Sequence, residues 1–428
     1  MTATTAERVP LFSSLALRNY RLFWMGGFVS NIGTWMARVA QDWLVLTILT
    51  QNSALALGIV TGLQFLPTAL ISVWAGSLAD RFDKRKFLML TQAGMALTGV
   101  ALAVLVLGGW VALWHVYLLA FLQGIAAAFD APARQAFAPE MVPKHLIGNS
   151  VGLNTTSFHA ARLIGPAVAG LTIAAWGVGP AIALNAISFI AVLAALSAMD
   201  PSELNPAPRG PREGGVREGL RYVRQRPDII LVMFMVFMLG TFGMNFQLTN
   251  ALMATSVFHV GPEEFGYMSS VMAIGSLTAG LLAARRTEVP MRLIVAALTG
   301  FTAVMIVMAL ASGFYLYLAL LLLAGFTALT TMTAANTSVQ LSVDPQMRGR
   351  VMALYMTIFL GGTPLGAPLV GWVGDAWGPR WTIAIGAIAC GIAVVVAVFY
   401  LMRRRGWSWP WRRAVDEMAY IAMPEEVR

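Results

Sequence analysis

Long runs of apolar residues, separated by short polar and basic stretches, recur along nearly the whole of the 428-residue chain. A membrane-spanning helix needs roughly 20 consecutive apolar residues, and about twelve of these runs reach that length. The first half has predicted spans at 22–49, 54–79, 87–108, 111–129, 147–176 and 179–199. The second half has predicted spans at 228–256, 264–284, 291–312, 314–338, 350–377 and 380–402.

Composition supports this pattern, because 58% of the residues are hydrophobic and only 11% are charged. The chain carries more apolar surface than one soluble core can bury, and the spans leave no room for a large soluble domain. The first run is too long for a signal-peptide core, so we expect it to be retained as a span. The single cysteine, Cys390, excludes a disulfide framework and a thiolate metal site. We therefore predict an all-α membrane protein that needs no cofactor and no metal.

The basic residues are distributed asymmetrically between the two sides of the predicted spans. If the N-terminus is inside, all but three of the 29 Lys and Arg residues fall in cytoplasmic segments; the exceptions are Arg38, Arg162 and Arg380. This distribution predicts a protein of the plasma (inner) membrane with both termini cytoplasmic. It also accounts for the net charge of +9 without a nucleic-acid partner.

A stretch rich in Pro, Gly, Arg and Glu divides the spans into two sets of six. The tail that follows the last span mixes Arg with Trp, a composition that favours contact with anionic lipid headgroups. We therefore predict a cytoplasmic N-terminus (1–21), an N-terminal six-helix bundle (22–199) and a cytoplasmic linker (200–227). A C-terminal six-helix bundle (228–402) and a basic, Trp-rich cytoplasmic tail (403–428) follow.

The two halves are related by an internal repeat. A shift of 201 residues aligns 133–177 with 334–378 without a gap and gives eleven identities. The identities include Gly148 with Gly349, Gly165 with Gly366, Gly170 with Gly371 and Trp176 with Trp377. Because an even number of spans separates the copies, both halves enter the membrane in the same sense. This is the parallel repeat of a transporter whose site lies between two bundles.

The loop after the second predicted span reads Gly-Ser-Leu-Ala-Asp-Arg-Phe-Asp-Lys-Arg-Lys over 76–86. It resembles the major facilitator superfamily signature G-x-L-A-D-R-x-G-R, with Asp83 in the place of a Gly. The resemblance implies a major facilitator fold, in which two six-helix bundles surround a central cavity, and a conformational gate at this loop. Alternatively, the loop is basic only to fix the topology. The gate candidates are Gly76, Asp80, Arg81, Lys84 and Arg85.

The fifth predicted span resembles the exporter motif of this superfamily, G-x8-G-x3-G-P-x2-G-G, with two of the glycines replaced by alanine. The matching residues are Gly152, Gly165, Pro166 and Gly170. Small residues at this spacing allow helices to approach closely, so ordinary helix packing is the alternative explanation.

A wider set of segments resembles the transmembrane secretion effectors, the branch that contains the enterobactin exporter and macrolide efflux proteins. These segments are Leu-Arg-Asn-Tyr-Arg-Leu-Phe-Trp at 17–24, Gln-Asp-Trp-Leu-Val-Leu at 41–46, Pro-Ala-Arg-Gln at 132–135 and Ala-Arg-Leu-Ile-Gly-Pro at 161–166. In one respect the chain departs from many exporters of the superfamily. Ala120 precedes Gln123-Gly124 where those exporters have an arginine that is linked to proton transfer.

Few ionisable residues are predicted at membrane depth. Arg38 and Asp42 are four residues apart on one helix face, so they can neutralise each other. An unused charge at this depth is costly, which makes Asp42 the leading candidate for a proton carrier; the alternatives are a structural ion pair or an Asp near the membrane interface. Arg162 either lines the cavity, where it would attract anions, or tethers the fifth span to the first. His159 either titrates near neutral pH or is a packed histidine.

Neutral polar residues inside the spans either line the cavity or form hydrogen bonds between helices, because amides that face lipid would be unsatisfied. The candidates are Gln64, Gln123, Asn154, Asn245, Gln247 and Asn336.

Together these features predict a secondary active transporter that exports amphipathic small molecules, drug-like or siderophore-like, by alternating access and in exchange for protons. The expected partners are a small-molecule substrate, protons and membrane lipids, and we expect the chain to work as a monomer. One alternative is an importer or facilitator of a nutrient on the same fold. A membrane enzyme or a receptor is the other alternative, and it would require clustered His, Asp and Glu that the spans lack.

Overall fold

A computed structural model describes residue 10 and residues 12–79, 82–205, 216–283, 286, 289–344 and 346–403. The described residues form fifteen α-helices, joined by short turns, and they contain no strand. The first half contains α1 Arg18–Trp43, α2 Ala54–Ala79, α3 Lys84–Leu107, α4 Leu113–Phe137, α5 Ile147–Trp176 and α6 Val178–Ser197. The second half contains α7 Val216–Arg224, α8 Pro227–Met238, α9 Phe246–Leu252, α10 Pro262–Ala283, α11 Met291–Leu310, α12 Phe314–Ser342, α13 Arg348–Gly361, α14 Thr363–Trp377 and α15 Pro379–Arg403.

Eleven helical segments of the described residues are long and apolar enough to cross a membrane. Helix α1 is a twelfth segment of membrane length, but its four charged residues lower its mean hydropathy. The observed segments follow the predicted spans closely. The main differences are that α4 continues to Phe137, eight residues beyond the predicted end, and that the linker contains the short helix α7.

Two of the segments are not single helices. With α1 counted as the first segment, the seventh is Pro227–Val257, which consists of α8 and α9 with π-helical turns at Leu239–Gly243 and Met253–Val257. Its regular helix is interrupted at Met244 and Asn245. The eleventh segment, Arg348–Trp377, divides into α13 and α14 at Gly362. Interrupted backbone at membrane depth is stable only where it is covered by protein or faces a water-filled cavity.

The helices pack as two six-membered bundles. In the first bundle α1 packs on α5 and α6, α2 packs on α4, and α3 packs on α4 and α6. In the second, α10 packs on α12, and α11 packs on α12 and α15. The two bundles meet along α2 with α14 and along α5 with α10. The space between the two bundles is therefore bounded by helices from both halves of the chain.

The two ends of the assembly differ in their side chains. We call the end at which α1 begins and α15 ends the terminal end. It carries Arg18, Arg21, Lys84, Arg85, Lys86, Lys144, Arg292, Arg348 and Arg403. The opposite end carries exposed aromatic side chains, which are Trp110, Trp114, Trp176, Tyr315, Trp377 and Trp381. Aromatic side chains of this kind mark the boundary between the hydrocarbon core and the headgroups.

Candidate substrate cavity

A cavity of about 550 Å³ lies between the two bundles at the middle of the membrane segments. Seven of the twelve segments contribute most of its wall: α1, α2 and α5 from the first half, and the seventh segment, α10, α12 and the eleventh segment (α13 and α14) from the second. The wall is mainly apolar and aromatic, with amides and hydroxyls interspersed. Its polar members include Asn31, Thr34, Thr61, Asn245, Gln247, Asn250, Ser269, Ser276 and Thr363.

The interruption of the seventh segment borders the cavity directly, because Gly240 and residues 244–248 line it. The Asn245 side chain donates a hydrogen bond of 2.8 Å to the Thr241 carbonyl and so occupies one of the backbone acceptors near the break. Phe359 packs against Gly240 from α13. The cavity therefore presents main-chain groups as well as side chains to a ligand.

Two arginines face the cavity around one tryptophan. The guanidinium carbon of Arg38 lies 4.8 Å from the centroid of the Trp35 ring, and that of Arg162 lies 5.4 Å from the same centroid. Arg38 also lies 5.7 Å from the Phe65 ring centroid. Such cation–π contacts contribute about 0.5–2 kcal/mol each. Among the described residues, neither arginine forms a hydrogen bond or an ion pair with a carboxylate.

Asp42 lies one helical turn beyond Arg38, outside the cavity lining and toward the opposite end. It is only 2% exposed, and its Oδ2 atom has no hydrogen-bond partner among the described residues. Arg38 and the Gln247 amide of the other half are its polar neighbours. Arg38 and Asp42 are therefore neighbours, but they form no ion pair among the described residues.

The structure brings together some of the predicted site residues and separates others. Arg38, Arg162, Pro166, Asn245 and Gln247 line the cavity. His159 lies beside it, with its ring 5.7 Å from that of Phe158. Asn336 accepts a hydrogen bond from Gln340 on its own helix. The remaining predicted candidates, Gln64, Gln123 and Asn154, are partly buried in positions that do not line the cavity.

Helices α5 and α10 close the cavity toward the opposite end. Gly170 packs on the first turn of α10, where an added Cβ would lie 2.5 Å from the Pro262 carbonyl oxygen. The Ser270 hydroxyl donates a hydrogen bond of 2.7 Å to the Leu163 carbonyl across the same contact. Gly165 instead packs on α1, with an added Cβ 2.6 Å from that of Trp35. Gly152 has no such neighbour, so of the motif's three glycines two lie at close helix contacts.

Helices α2 and α14 form the corresponding contact on the other side. Gly371, the repeat partner of Gly170, packs on the first turn of α2 at Ala54 and Leu55. Asp375, one turn later, accepts hydrogen bonds from the backbone N–H groups of Ala54 and Leu55. Both contacts therefore join a glycine of one half to the start of a helix in the other.

The loop predicted as a gate is partly described. Asp80 and Arg81 lie outside the described residues, and of Gly76 the structure describes only its place in α2. Lys84 forms an ion pair of 2.5 Å with Glu140, and Arg85 donates hydrogen bonds to the Leu196 and Ser197 carbonyls, all within the first half. Asp83 caps α3 by accepting a hydrogen bond of 3.0 Å from the Lys86 N–H, which is how the chain turns here without glycine.

A buried polar cluster that the sequence analysis missed lies between α3 and α4. Asp130 is 7% exposed and accepts hydrogen bonds from Thr91 at 2.9 Å, Gln92 at 2.7 Å and Arg134 at 3.1 Å. Arg134, predicted in a cytoplasmic segment, is instead a partly buried residue in the last turn of α4. The spacing of four residues between Asp130 and Arg134 is the signal that could have revealed the pair.

Trp35, whose ring contacts both arginines, was not among the predicted site residues. Trp35 and Arg38 are three residues apart and share a helix face, so the spacing alone could have placed them together. No group of three or more His, Cys, Asp or Glu side chains that could hold a metal ion occurs in the described part of the chain.

Comparisons with known proteins agree with this architecture. The family model described as "Transmembrane secretion effector" matches residues 10–417. The chain is 26% identical over 391 residues to the staphyloferrin A transporter of Staphylococcus aureus, a match that covers 90% of this chain and 96% of the relative. It is 23% identical to macrolide efflux protein A of Streptococcus pyogenes, with 92% and 98% covered, and 27% identical to the multidrug efflux pump Tap of Mycolicibacterium fortuitum, with 88% and 94% covered.

Solved structures confirm the predicted fold. A bacterial homologue of the human lysosomal transporter Spinster, in an inward-facing and unoccupied conformation, matches with a TM-score of 0.67 at 14% identity, covering 90% of this chain and 95% of the other. The nucleoside transporter NupG matches with a TM-score of 0.68 at 14% identity, covering 91% and 100%. The family model spans nearly the whole chain, and two bundles surround a shared cavity. This multi-pass membrane protein is therefore a transporter and not an enzyme, and it belongs to the transmembrane secretion effector family of the major facilitator superfamily.

Proposed function

We propose that the chain exports amphipathic small molecules, drug-like or siderophore-like, by alternating access of the cavity and in exchange for protons. The observation that carries this proposal is the cavity itself, which is shared by both bundles and closed toward the opposite end by the α2–α14 and α5–α10 contacts. A wall of aromatic and aliphatic side chains with scattered amides suits ligands that are apolar over most of their surface. The efflux functions named for two of the relatives support the outward direction.

The distribution of charged and aromatic side chains supports an orientation in the plasma (inner) membrane with both termini cytoplasmic. Basic residues cluster at the terminal end, and Lys and Arg are retained on the cytoplasmic side of membrane proteins. In this orientation the cavity is closed to the outside, and the described state is the one that loads substrate from the cytoplasm. The basic terminal end then faces anionic lipid headgroups.

Asp42 is the proposed proton carrier. It lies between the cavity and the closed end, out of contact with water, next to Arg38 of its own helix and Gln247 of the other half. When the contacts at that end open, Asp42 becomes accessible to protons from the outside, and the proton is released on the cytoplasmic side before the next substrate binds. One chain contains both bundles and the whole cavity, so we propose that a monomer is the functional unit.

The experiment measures accumulation of fluorescent amphiphiles in energised cells that produce the native chain or Asp42→Asn at equal abundance. We expect the native chain to lower accumulation, a protonophore to abolish this effect, and Asp42→Asn to lack it. Asp344→Asn, which changes an exposed carboxylate at the terminal end, is the control and should behave as the native chain.

Equal export by the native chain and Asp42→Asn would remove Asp42 from the coupling and leave export standing. If neither the native chain nor Asp344→Asn lowers accumulation of any amphiphile, the export proposal fails for this class of substrate.

A further inference from the structure

The cavity holds two positive charges that no side chain among the described residues neutralises directly. Arg38 and Arg162 both line it, and in the described structure neither has a carboxylate within ion-pairing distance. Since both guanidinium carbons lie over the Trp35 ring, at 4.8 and 5.4 Å from its centroid, they are at most about 10 Å apart. Two like charges this close repel each other strongly at membrane depth, where water screens them poorly.

The neighbouring groups compensate only part of this charge. Trp35 and Phe65 offer their ring faces, which attract cations weakly compared with a carboxylate. Asp42 lies near Arg38 but outside the cavity lining, and it is the one carboxylate close to the pair among the described residues. With Asp42 ionised the cluster still carries one unbalanced positive charge, and with Asp42 protonated it carries two.

From this charge balance we propose that the substrate is an amphipathic anion whose single negative group, such as a carboxylate, binds between Arg38 and Arg162 while its apolar body lies on the aromatic wall. This inference rests on the proposed export function and specifies its substrate class. A guanidinium presents several N–H donors in a plane and pairs well with a carboxylate, and two of them can grip both oxygens. The apolar body would contact Phe65, Phe158, Met244, Met332 and Phe359.

The charge of such a substrate also fits the proposed exchange with protons. A monoanion that binds after Asp42 has lost its proton brings the net charge of the cluster to zero. The change between the inward-open and outward-open states has the smallest electrostatic cost when the cluster and its bound substrate are neutral together. After the anion leaves on the outside, Asp42 takes up a proton there, and this proton is released inside before the next anion binds.

The test uses three fluorescent coumarins that share one fluorophore and carry a negative charge, no charge and a positive charge: 7-(diethylamino)coumarin-3-carboxylic acid, its primary amide and its 2-aminoethyl amide. Binding to the full-length chain is measured by fluorescence anisotropy in nanodiscs of zwitterionic phospholipid. We expect the native chain to bind the acid about tenfold more tightly than the amide, and the cationic amide most weakly. Arg38→Gln and Arg162→Gln should each reduce the preference for the acid, while Arg38→Lys should retain most of it.

Equal or undetectable binding of the three coumarins by the native chain would overturn the inference, and so would an unchanged preference in the double variant Arg38→Gln/Arg162→Gln. Loss of the preference when anionic phospholipid is included in the nanodiscs would assign the arginines to a lipid headgroup and also overturn it. Export of the same compounds is measured separately in cells. Tight binding of the acid without export would support the charge inference and contradict export, whereas export of the amide alone would support export and contradict the inference.

Discussion

The carboxylate of Asp375 accepts a hydrogen bond of 2.6 Å from the backbone N–H of Ala54, so that the first turn of α2 is capped by a residue from the other half of the chain. Its second oxygen accepts hydrogen bonds from the Leu55 N–H at 3.1 Å and from the Ser53 hydroxyl at 3.0 Å. A helix N-terminus presents free N–H groups and a partial positive charge, and a carboxylate satisfies both. This cap exists only while the two halves are together at the opposite end.

Replacing Asp375 by alanine should therefore shift the protein toward the state that is open at the opposite end. Loss of a capping side chain costs about 0.5–2 kcal/mol, which changes the ratio of the two states by about two- to thirtyfold. The shift is measured as the distance between spin labels on cysteines introduced at the exposed positions Gln51 and Trp377, in a Cys390→Ser background. Asp200→Ala, which removes the acceptor of the Ser202 N–H within the first half, serves as the control. Identical distance distributions for Asp375→Ala and the native chain would contradict the cap's role.

The two repeat-related glycines at this end should be equally intolerant of a side chain. In Gly371→Ala the new methyl group would lie 3.0 Å from the Leu55 Cα, and in Gly170→Ala it would lie 3.0 Å from the Glu263 Cα. Such overpacking costs about 1–3 kcal/mol, all of it in the closed state, so each variant should populate the open state. The same spin labels report the change. Gly152→Ala, where an added Cβ meets nothing within 4 Å, should leave the distances as they are.

Two phenylalanines at repeat-related positions line the cavity and should contribute similarly to substrate binding. The shift of 201 residues that relates the halves pairs Phe158 with Phe359. Truncation of either to alanine removes apolar contact area worth about 1–2 kcal/mol, so the half-saturating substrate concentration should rise by about five- to thirtyfold. Dose-dependent export by equally abundant variants measures the change. Phe399→Ala, which truncates an exposed side chain on α15, is the matched control, and a comparable loss there would point to a general defect.

The Asp130 cluster should be important for stability and not for recognition, because none of its side chains lines the cavity. Asp130→Ala leaves the Gln92 amide and the Arg134 guanidinium without their buried acceptor. We expect a loss of about 2–4 kcal/mol in stability, and a smaller loss for Asp130→Asn, which keeps one acceptor oxygen. The unfolding temperature of the purified protein in detergent measures this. Unfolding temperatures equal to that of Asp344→Ala would contradict it.

Hydropathy was sufficient to predict the membrane segments, because burial in lipid imposes the same length on every helix whatever its neighbours are. The prediction was least accurate where polar residues belong to a helix interior. The fourth predicted span ends at residue 129, yet α4 continues to Phe137, and Asp130 compensates the charge of Arg134 in this extension. The break at Met244 and Asn245 had little signal in the sequence, since its backbone contacts depend both on Asn245 itself and on Phe359 from α13.

The cavity was predictable in part. Spacing along one helix places residues on a common face, but it does not say whether that face meets the other half or a neighbour in the same bundle. Of the candidates named from the sequence, Arg38, Arg162 and Gln247 line the cavity, whereas Gln64 and Gln123 do not. The internal repeat gave more information than single residues, since Gly170 and Gly371 do occupy equivalent contacts between the halves.

The closing contacts at the opposite end involve backbone atoms, two glycines and one cap, and none of Gly170, Gly371 and Asp375 lines the cavity. Closure and recognition are therefore encoded by separate sets of residues. We expect that substitutions in the cavity wall can accumulate during evolution with little effect on the energy of closure. A scaffold of this kind can acquire a new substrate range by changes in the wall alone, while the machinery of the conformational cycle is inherited intact.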